Sequence, residues 1–330
     1  MDNELILFDR LNVIKDTINK YGADNFYLSF SGGKDSTVLH HLLDMALPGN
    51  TIPRVFMNTG IEYIDIVKFV KSLAEKDKRI KIIQPGVNIK KMLKEKGYPF
   101  KSKMYSQHYT VFKRNEKECK EYIKRGEEQP ELLDDYNFIH NLPSGVKTVV
   151  KQYFGKRERE RESCTSTVLV VPNVLKYQFK EGLPIKISDN CCREMKEKPL
   201  KCWQEANNKT ATITAIMAEE GGRREQGKCK VFSKGRLTFN PLIKTTHEWE
   251  QWFIDKYNIQ LCKLYYEPYN FKRTGCKGCP FALNLQEQLE TMEKYLPNER
   301  KQCEIIWKPV YDEYRRIGYR LKKDEQLKLF

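Results

Sequence analysis

The 330-residue chain predicts an α/β fold: a parallel sheet with a largely helical insertion and a helical C-terminus. Three observations carry that expectation. Short apolar runs at 26–30, 53–57 and 80–83 alternate with amphipathic stretches at 36–46, 62–75 and 88–96. Such alternation implies parallel strands joined by right-handed crossovers, with ligands at the C-terminal ends of the strands. Residues 98–187 break the rhythm, being charged and Tyr-rich, and helical periodicity dominates again from 284 to 319.

In chain order, residues 4–21 put Leu5, Phe8, Leu11, Ile14 and Ile18 on one helical face. The first sheet segment and its helices fill the rest of residues 1–97. Residues 98–187 form an insertion that covers a pocket, holds a partner or is a structural subdomain; it contains the apolar run Thr167-Val168-Leu169-Val170-Val171. The sheet is expected to resume at 211–217, within a segment 188–283 that completes the α/β domain. Residues 284–330 make the helical end. There is no internal repeat or low-complexity linker, and a chain of this length buries a sizeable core.

The strand candidate at 26–30 runs into Ser31-Gly32-Gly33-Lys34-Asp35-Ser36 and then into the helical stretch from Thr37. A strand that turns through Ser-Gly-Gly into a helix aims backbone N–H groups, and the positive end of the helix, at one point. The glycines permit a tight turn and close approach of a phosphate. Lys34 adds a positive charge, and Ser31 and Ser36 add hydroxyls. It is not the Walker loop, whose four-residue spacer and Gly-Lys-Ser/Thr ending are missing. The segment resembles the PP-loop of the adenine nucleotide α-hydrolase superfamily, which splits ATP between the α and β phosphates or binds a sulfated adenylate. That resemblance implies a PP-loop (adenine nucleotide α-hydrolase-like) fold. It makes Ser29, Ser31, Gly32, Gly33, Lys34, Asp35 and Ser36 nucleotide-binding candidates, with Lys34 and Asp35 also catalytic. Asn58-Thr59-Gly60-Ile61-Glu62 fits the loop after the second strand, near the adenosine, with Asn58, Thr59 and Gly60 as the nucleotide-binding candidates.

Ten cysteines are the second signal. Cys276-Lys277-Gly278-Cys279 lets two thiolates converge on a zinc ion, an iron–sulfur cluster or a redox pair, and adjacent Cys191-Cys192 is unusual. Cys191-Cys192-Arg193-Glu194-Met195-Lys196 with Pro199-Leu200, followed by the Cys-X-X-Cys, resembles the cluster-binding pattern of assimilatory adenylyl-sulfate reductases. Asn240-Pro241-Leu242 before the Trp249, Trp252 and Phe253 helix, then Leu264-Tyr265 and Arg273-Thr274-Gly275-Cys276, also resembles that family and its phosphoadenylyl-sulfate relatives. The resemblance covers 25–97 and 188–285. It implies that Cys191, Cys192, Cys276 and Cys279 hold a 4Fe-4S cluster, with Lys196 and Lys277 nearby; a four-cysteine zinc site uses the same ligands.

Departures from the reductase pattern are equally informative. Those enzymes carry a nucleophilic cysteine in a C-terminal Glu-Cys-Gly motif, and the run from Tyr319 to Phe330 has no cysteine. Cys303 sits in an amphipathic stretch and is expected to be a buried, inert thiol. The family's Gly-x-Arg-x-x-Glu is altered here, with Ala215 and Met217 at the glycine and arginine positions. Glu220 is kept, and Arg223 and Arg224 supply charge from further along or are a solvated loop. Lys34 and the tail both tilt the nucleotide towards ATP with Mg²⁺. Cys119, Cys164, Cys202, Cys229 and Cys262 are candidate sulfur carriers, with Cys164 and Cys202 preferred as catalytic thiols. His108 and His140 lack a metal-ligand spacing and are read as surface residues.

With 59 Lys+Arg against 44 Asp+Glu, the formal charge is +15, which suits polyanionic partners. The basic candidates are Lys113-Arg114 to Lys124-Arg125 and Arg315-Arg316 to Lys322-Lys323, the latter interleaved with Tyr314 and Tyr319, while 157–162 alternates in sign. The N-terminus lacks the succession of a signal peptide and no apolar run approaches membrane-spanning length, so the expectation is a cytoplasmic protein with reduced thiols and no membrane partner. Three functions follow in order. The first is an ATP-dependent iron–sulfur sulfurtransferase acting on a nucleic acid or small acceptor, served by a sulfur or electron donor protein. The second is reduction of adenylyl sulfate or phosphoadenylyl sulfate to sulfite. The third is a non-catalytic nucleotide- or nucleic-acid-binding subunit.

Overall fold

The computed structural model describes residues 2–155, 170–221 and 224–323. They divide into two compact units, one of 1–87 and 194–277, the other of 88–193 and 278–330.

The first unit is the α/β body. Its strands are β1 (Phe26–Phe30), β2 (Arg54–Met57), β3 (Ile80–Ile83), β4 (Ala211–Ile213), β5 (Lys230–Ser233) and β6 (Arg236–Phe239). The sheet order is β3-β2-β1-β4-β6-β5. All pairs are parallel except β5 with β6. The chain leaves β1 towards β2 and β3 on one side and returns to β4 on the other, so β1 is the switch point of the sheet. Loops that leave β1 and β4 in opposite senses open a crevice at their C-terminal ends.

β1 and β2 are almost wholly buried, as strands covered on both faces should be. The helix Lys34–Ala46 follows β1 directly and buries Val38, Leu39, Leu42 and Leu43. Their spacing is one helical stripe, which fixes how the helix lies on the sheet and therefore where its N-terminus points. The strands and helices expected in 4–96 all form, within one or two residues. The resumed sheet is shorter than expected, with β4 ending at Ile213. The β5–β6 hairpin was not foreseen. Lys234 and Gly235 both have positive φ, the geometry of a two-residue turn whose twist suits a hairpin.

The second unit is helical around an aromatic core. Its helices include Lys103–Arg114, Glu116–Glu128, Ser144–Phe154, Leu285–Tyr295 and Pro297–Ile317. The tyrosines that give 98–187 its composition are largely internal. Tyr105, Tyr109 and Tyr153 are buried and pack edge-on to Phe179 at 5.7–6.3 Å. Of the apolar run at 167–171, residues 167–169 lie outside the described residues; Val171 is buried and its N–H donates to Gln152 O.

Candidate nucleotide site

The Ser31–Ser36 loop sits at the C-terminal end of β1. Gly32 has φ +69°, and a Cβ there would lie 2.5 Å from Val70 Cγ2, so only glycine lets the loop pass over the helix Ile64–Lys76. Hydroxyls hold the turn from within. Ser31 N–H donates to Ser36 Oγ at 3.2 Å, Gly33 N–H to Ser31 Oγ at 3.2 Å, and Ser36 O–H to Gly33 O at 3.0 Å. Lys34 N–H donates to the Tyr265 hydroxyl at 3.0 Å, and that hydroxyl also meets Thr274 Oγ1. An anion arriving at the helix N-terminus therefore exchanges neutral hydroxyl acceptors for charge-assisted bonds, which are roughly twice as strong.

The loop opens on a cavity of about 440 Å³. Ser29, Ser31, Gly33, Lys34, Asp35 and Ser36 line it from β1 and its loop, and Thr214, Ala215 and Ile216 from the end of β4. Among the described residues, five with cationic side chains line it, Lys34, Lys196, Arg224, Lys272 and Arg273, against the carboxylates of Asp35, Glu62 and Glu220. Glu220 pairs with both Arg224 and Arg273, holding two guanidiniums at the wall of the cavity. Arg224 thus brings charge to the site although Met217, at the family's arginine position, is buried. Arg223 lies outside the described residues.

Asn58, Thr59 and Gly60 do not line the cavity; their turn delivers Glu62 to it instead. Thr59 N–H and Oγ1–H both donate to the Glu62 carboxylate at 2.8 Å, and Asn58 Oδ1 accepts from Gly60 N–H at 3.2 Å. Glu62 in turn lies 3.3 Å from Lys196 Nζ. The Cys276 thiolate raises Lys196 well above the usual lysine range, against burial and with help from Glu62. Lys196 therefore touches a cysteine singled out as a candidate ligand while it lines the cavity.

The other cysteines are described unit by unit. Cys191 is buried, and Cys192 and Cys279 are half-buried, all three in the second unit. Between Cys276 and Cys279, Gly278 has φ +60° and its carbonyl accepts the Tyr311 hydroxyl, where a Cβ would collide with Tyr311 and Cys303. Only glycine fits that turn. Cys303 is buried, as expected. Burial pushes the Cys119 thiol up to about 11, which suits an inert group. Burial also raises Cys229, and Cys262 is buried. Cys202 is exposed, beside Trp203 in a separate groove with Ile83 and Val87, and does not line the cavity at the Ser31–Ser36 loop. Cys164 lies outside the described residues.

At the far end of the helix Lys34–Ala46, His40, Asp44 and Asp77 approach one another as metal ligands would. Two guanidiniums already fill that cluster. Arg79 spans Asp44 and Asp77 at 2.7–2.9 Å, and Arg54, wholly buried, reaches Asp44 at 2.7 Å and donates to His40 Nδ1 at 3.1 Å. In the second unit, Lys113 and Lys120 pair with Glu116, Arg316 with Glu313 and Lys322 with Glu290. Tyr314 is fully buried, with its hydroxyl between Lys101 N–H and Pro280 O, so it belongs to the core.

A family model for the phosphoadenosine phosphosulfate reductase domain matches residues 25–142 and 151–282. The chain belongs to that family. The match runs through β1, the Ser31–Ser36 loop and Cys276-Lys277-Gly278-Cys279, and it also crosses much of 98–187. An uncharacterised protein of Methanocaldococcus jannaschii is 32% identical over 93 residues, which is 28% of this chain and 22% of that protein. The chain thus matches about a fifth of that relative's length. The crystal structure of a phosphoadenylyl-sulfate reductase from Candida auris, in complex with phosphate, aligns over 84% of this chain and 96% of its own at 11% identity, with a TM-score of 0.41. Among the described residues, no helix is long and apolar enough to cross a membrane.

The loop, Glu220, Arg224 and Lys196 had been marked by motif in this PAPS reductase-domain protein. Tyr265, Arg273 and Thr274 stand within the Leu264-Tyr265 and Arg273-Thr274-Gly275-Cys276 motifs, whereas Lys272 carried no signal. Glu250 carried no signal: it lies on the helix His247–Lys256, is 1% exposed, and sits 2.9 Å from Lys34 Nζ.

Proposed function

We propose that this PAPS reductase-family protein binds an adenine nucleotide by its phosphates at Ser31–Ser36, and that the nucleotide is ATP used for sulfur transfer. The observation that carries the reading is the phosphate loop at the switch-point end of β1, opening on a cavity with five cationic side chains. Two features favour ATP. Lys34 stands in the loop, and none of the described residues that line the cavity is a cysteine.

In this reading an acceptor oxygen attacks the α-phosphorus of MgATP, the bond to pyrophosphate breaks, and the acceptor is left as its adenylate. Sulfide-level sulfur then displaces AMP, so the exchange involves no net oxidation. Loop N–H groups and Lys34 stabilise charge that grows on the departing pyrophosphate, and Arg224 and Arg273 hold the remaining phosphate oxygens. By the family pattern Cys191, Cys192, Cys276 and Cys279 would supply the thiolates for a 4Fe-4S cluster, and the Lys196 contact to Cys276 suits a negatively charged centre there. When bound, the cluster supplies an iron site for reduced sulfur. The acceptor is a nucleic acid or a small molecule, and a partner protein delivers the sulfur or electrons.

Product analysis tests this. Anaerobic protein supplied with ATP, sulfide and candidate acceptors is expected to form AMP and pyrophosphate. Sulfite from phosphoadenylyl sulfate or adenylyl sulfate would instead establish the reductase that the family name suggests. Binding of nucleotide with no product would leave a sensing subunit. Iron and acid-labile sulfide should fall to background in Cys276→Ser/Cys279→Ser; zinc in their place would overturn the cluster.

A further inference from the structure

Among the described residues of the α/β body, Glu250 is a buried carboxylate with both oxygens short of a directed hydrogen bond. It is 1% exposed, and its carboxylate lies 2.9 Å from Lys34 Nζ. The groups facing it are few. Lys34 and Asp35 come from the helix Lys34–Ala46, and on its own helix His247 Nδ1 lies 3.6 Å from Oε2. Lys34 is thus held on a buried carboxylate at the position where the loop meets phosphate. A phosphate that takes Lys34 leaves Glu250 buried beside Asp35 with no strong cation, an arrangement that a carboxylate avoids by taking a proton.

We infer that Glu250 is the counter-ion that Lys34 exchanges for phosphate, so that nucleotide binding at the loop draws a proton onto Glu250. The inference rests on the loop being the phosphate site. Burial first, and then Asp35, already push Glu250 up to about 8 with Lys34 pulling the other way, so the exchange is most costly above that pH. Glu250 acts here as a positioning residue, through Lys34.

The test is calorimetric titration with MgATP, whose phosphates are fully ionised at pH 8.5, in two buffers of different ionisation enthalpy. Wild-type protein is expected to take up a large fraction of a proton at pH 8.5 and little at pH 6.5. Its affinity should weaken about tenfold between pH 7 and pH 9. Glu250→Gln should abolish both effects and bind more tightly than wild type at pH 9. Binding without proton uptake, or an unchanged pH profile in Glu250→Gln, overturns the inference and leaves the loop as the nucleotide site. The proton count on the wild type needs no variant. Absence of MgATP binding at every pH overturns the reading of the loop, and the inference with it.

Discussion

One helix, Lys34–Ala46, carries two charge clusters that differ in how well they are satisfied. At its C-terminal end Asp44 receives Arg54, Arg79 and Asn50, and Arg79 also holds Asp77. At its N-terminal end Lys34 and Asp35 share a buried Glu250 that lacks directed hydrogen bonds. The first cluster locks β2, the helix and the 77–79 turn together. The second keeps a cation poised beside a cavity. A fully bonded charge network stabilises a fold, whereas an under-bonded one at a pocket is available for a ligand to rearrange.

The largest effect is expected where the satisfied cluster is broken. Arg54→Leu removes a guanidinium with no exposed surface, and chemical denaturation should show a loss on the order of 3–5 kcal/mol. A loss below about 1 kcal/mol would mean that the cluster is not the lock described. Gly32→Ala acts at the other end, forcing a side chain onto Val70 and into a positive φ. It should cost about 1–3 kcal/mol of stability, and nucleotide affinity should drop at least tenfold. Wild-type affinity in that variant would show that the loop does not need its close approach to the Ile64–Lys76 helix.

The smallest effect is also the sharpest contrast, because the two clusters tilt stability against pH in opposite directions. Glu250 is raised from 4.5 to about 8, chiefly by burial. Its favourable share is complete below pH 4.5 and is lost as the pH rises through 8. Burial pushes Asp77 up, but its hydrogen bonds to Arg79 prevail and bring it down to about 2 from 3.8. That share is complete above pH 3.8 and is lost as the pH falls towards 2. Burial and Arg54 bring His40 from 6.5 to about 4, so its share is complete above pH 6.5 and declines below. Thermal unfolding across pH 3–9 should therefore show Glu250→Gln flattening the alkaline limb only. Flattening on the acid side would assign the wrong cluster to the wrong slope.

Most of the sheet was legible because its strands and helices announce themselves locally. The apolar run 26–30, the Ser-Gly-Gly turn and the Val38, Leu39, Leu42, Leu43 stripe all lie within residues 26–43, and they fix where the Ser31–Ser36 loop lies. The β5–β6 hairpin was not legible in the same way. β5 is exposed throughout, so Lys230-Val231-Phe232-Ser233 shows no buried face, and its pairing depends on the Lys234-Gly235 turn. The rest of the site was hidden by distance along the chain. Tyr265 and Glu250 meet the loop from more than two hundred residues away, and no local pattern says which side chain a fold will bring to Lys34. Asn58, Thr59 and Gly60 show the converse: the motif follows β2, as read, but of its residues Glu62 is the one that lines the cavity.

The most direct test of the loop as the nucleotide site is a calorimetric titration of anaerobically purified protein with MgATP at pH 7, wild type beside Lys34→Ala. A single site in the wild type, weakened at least tenfold by the substitution, is the predicted result. Equal affinity in the two proteins, or no binding in the wild type, would contradict it.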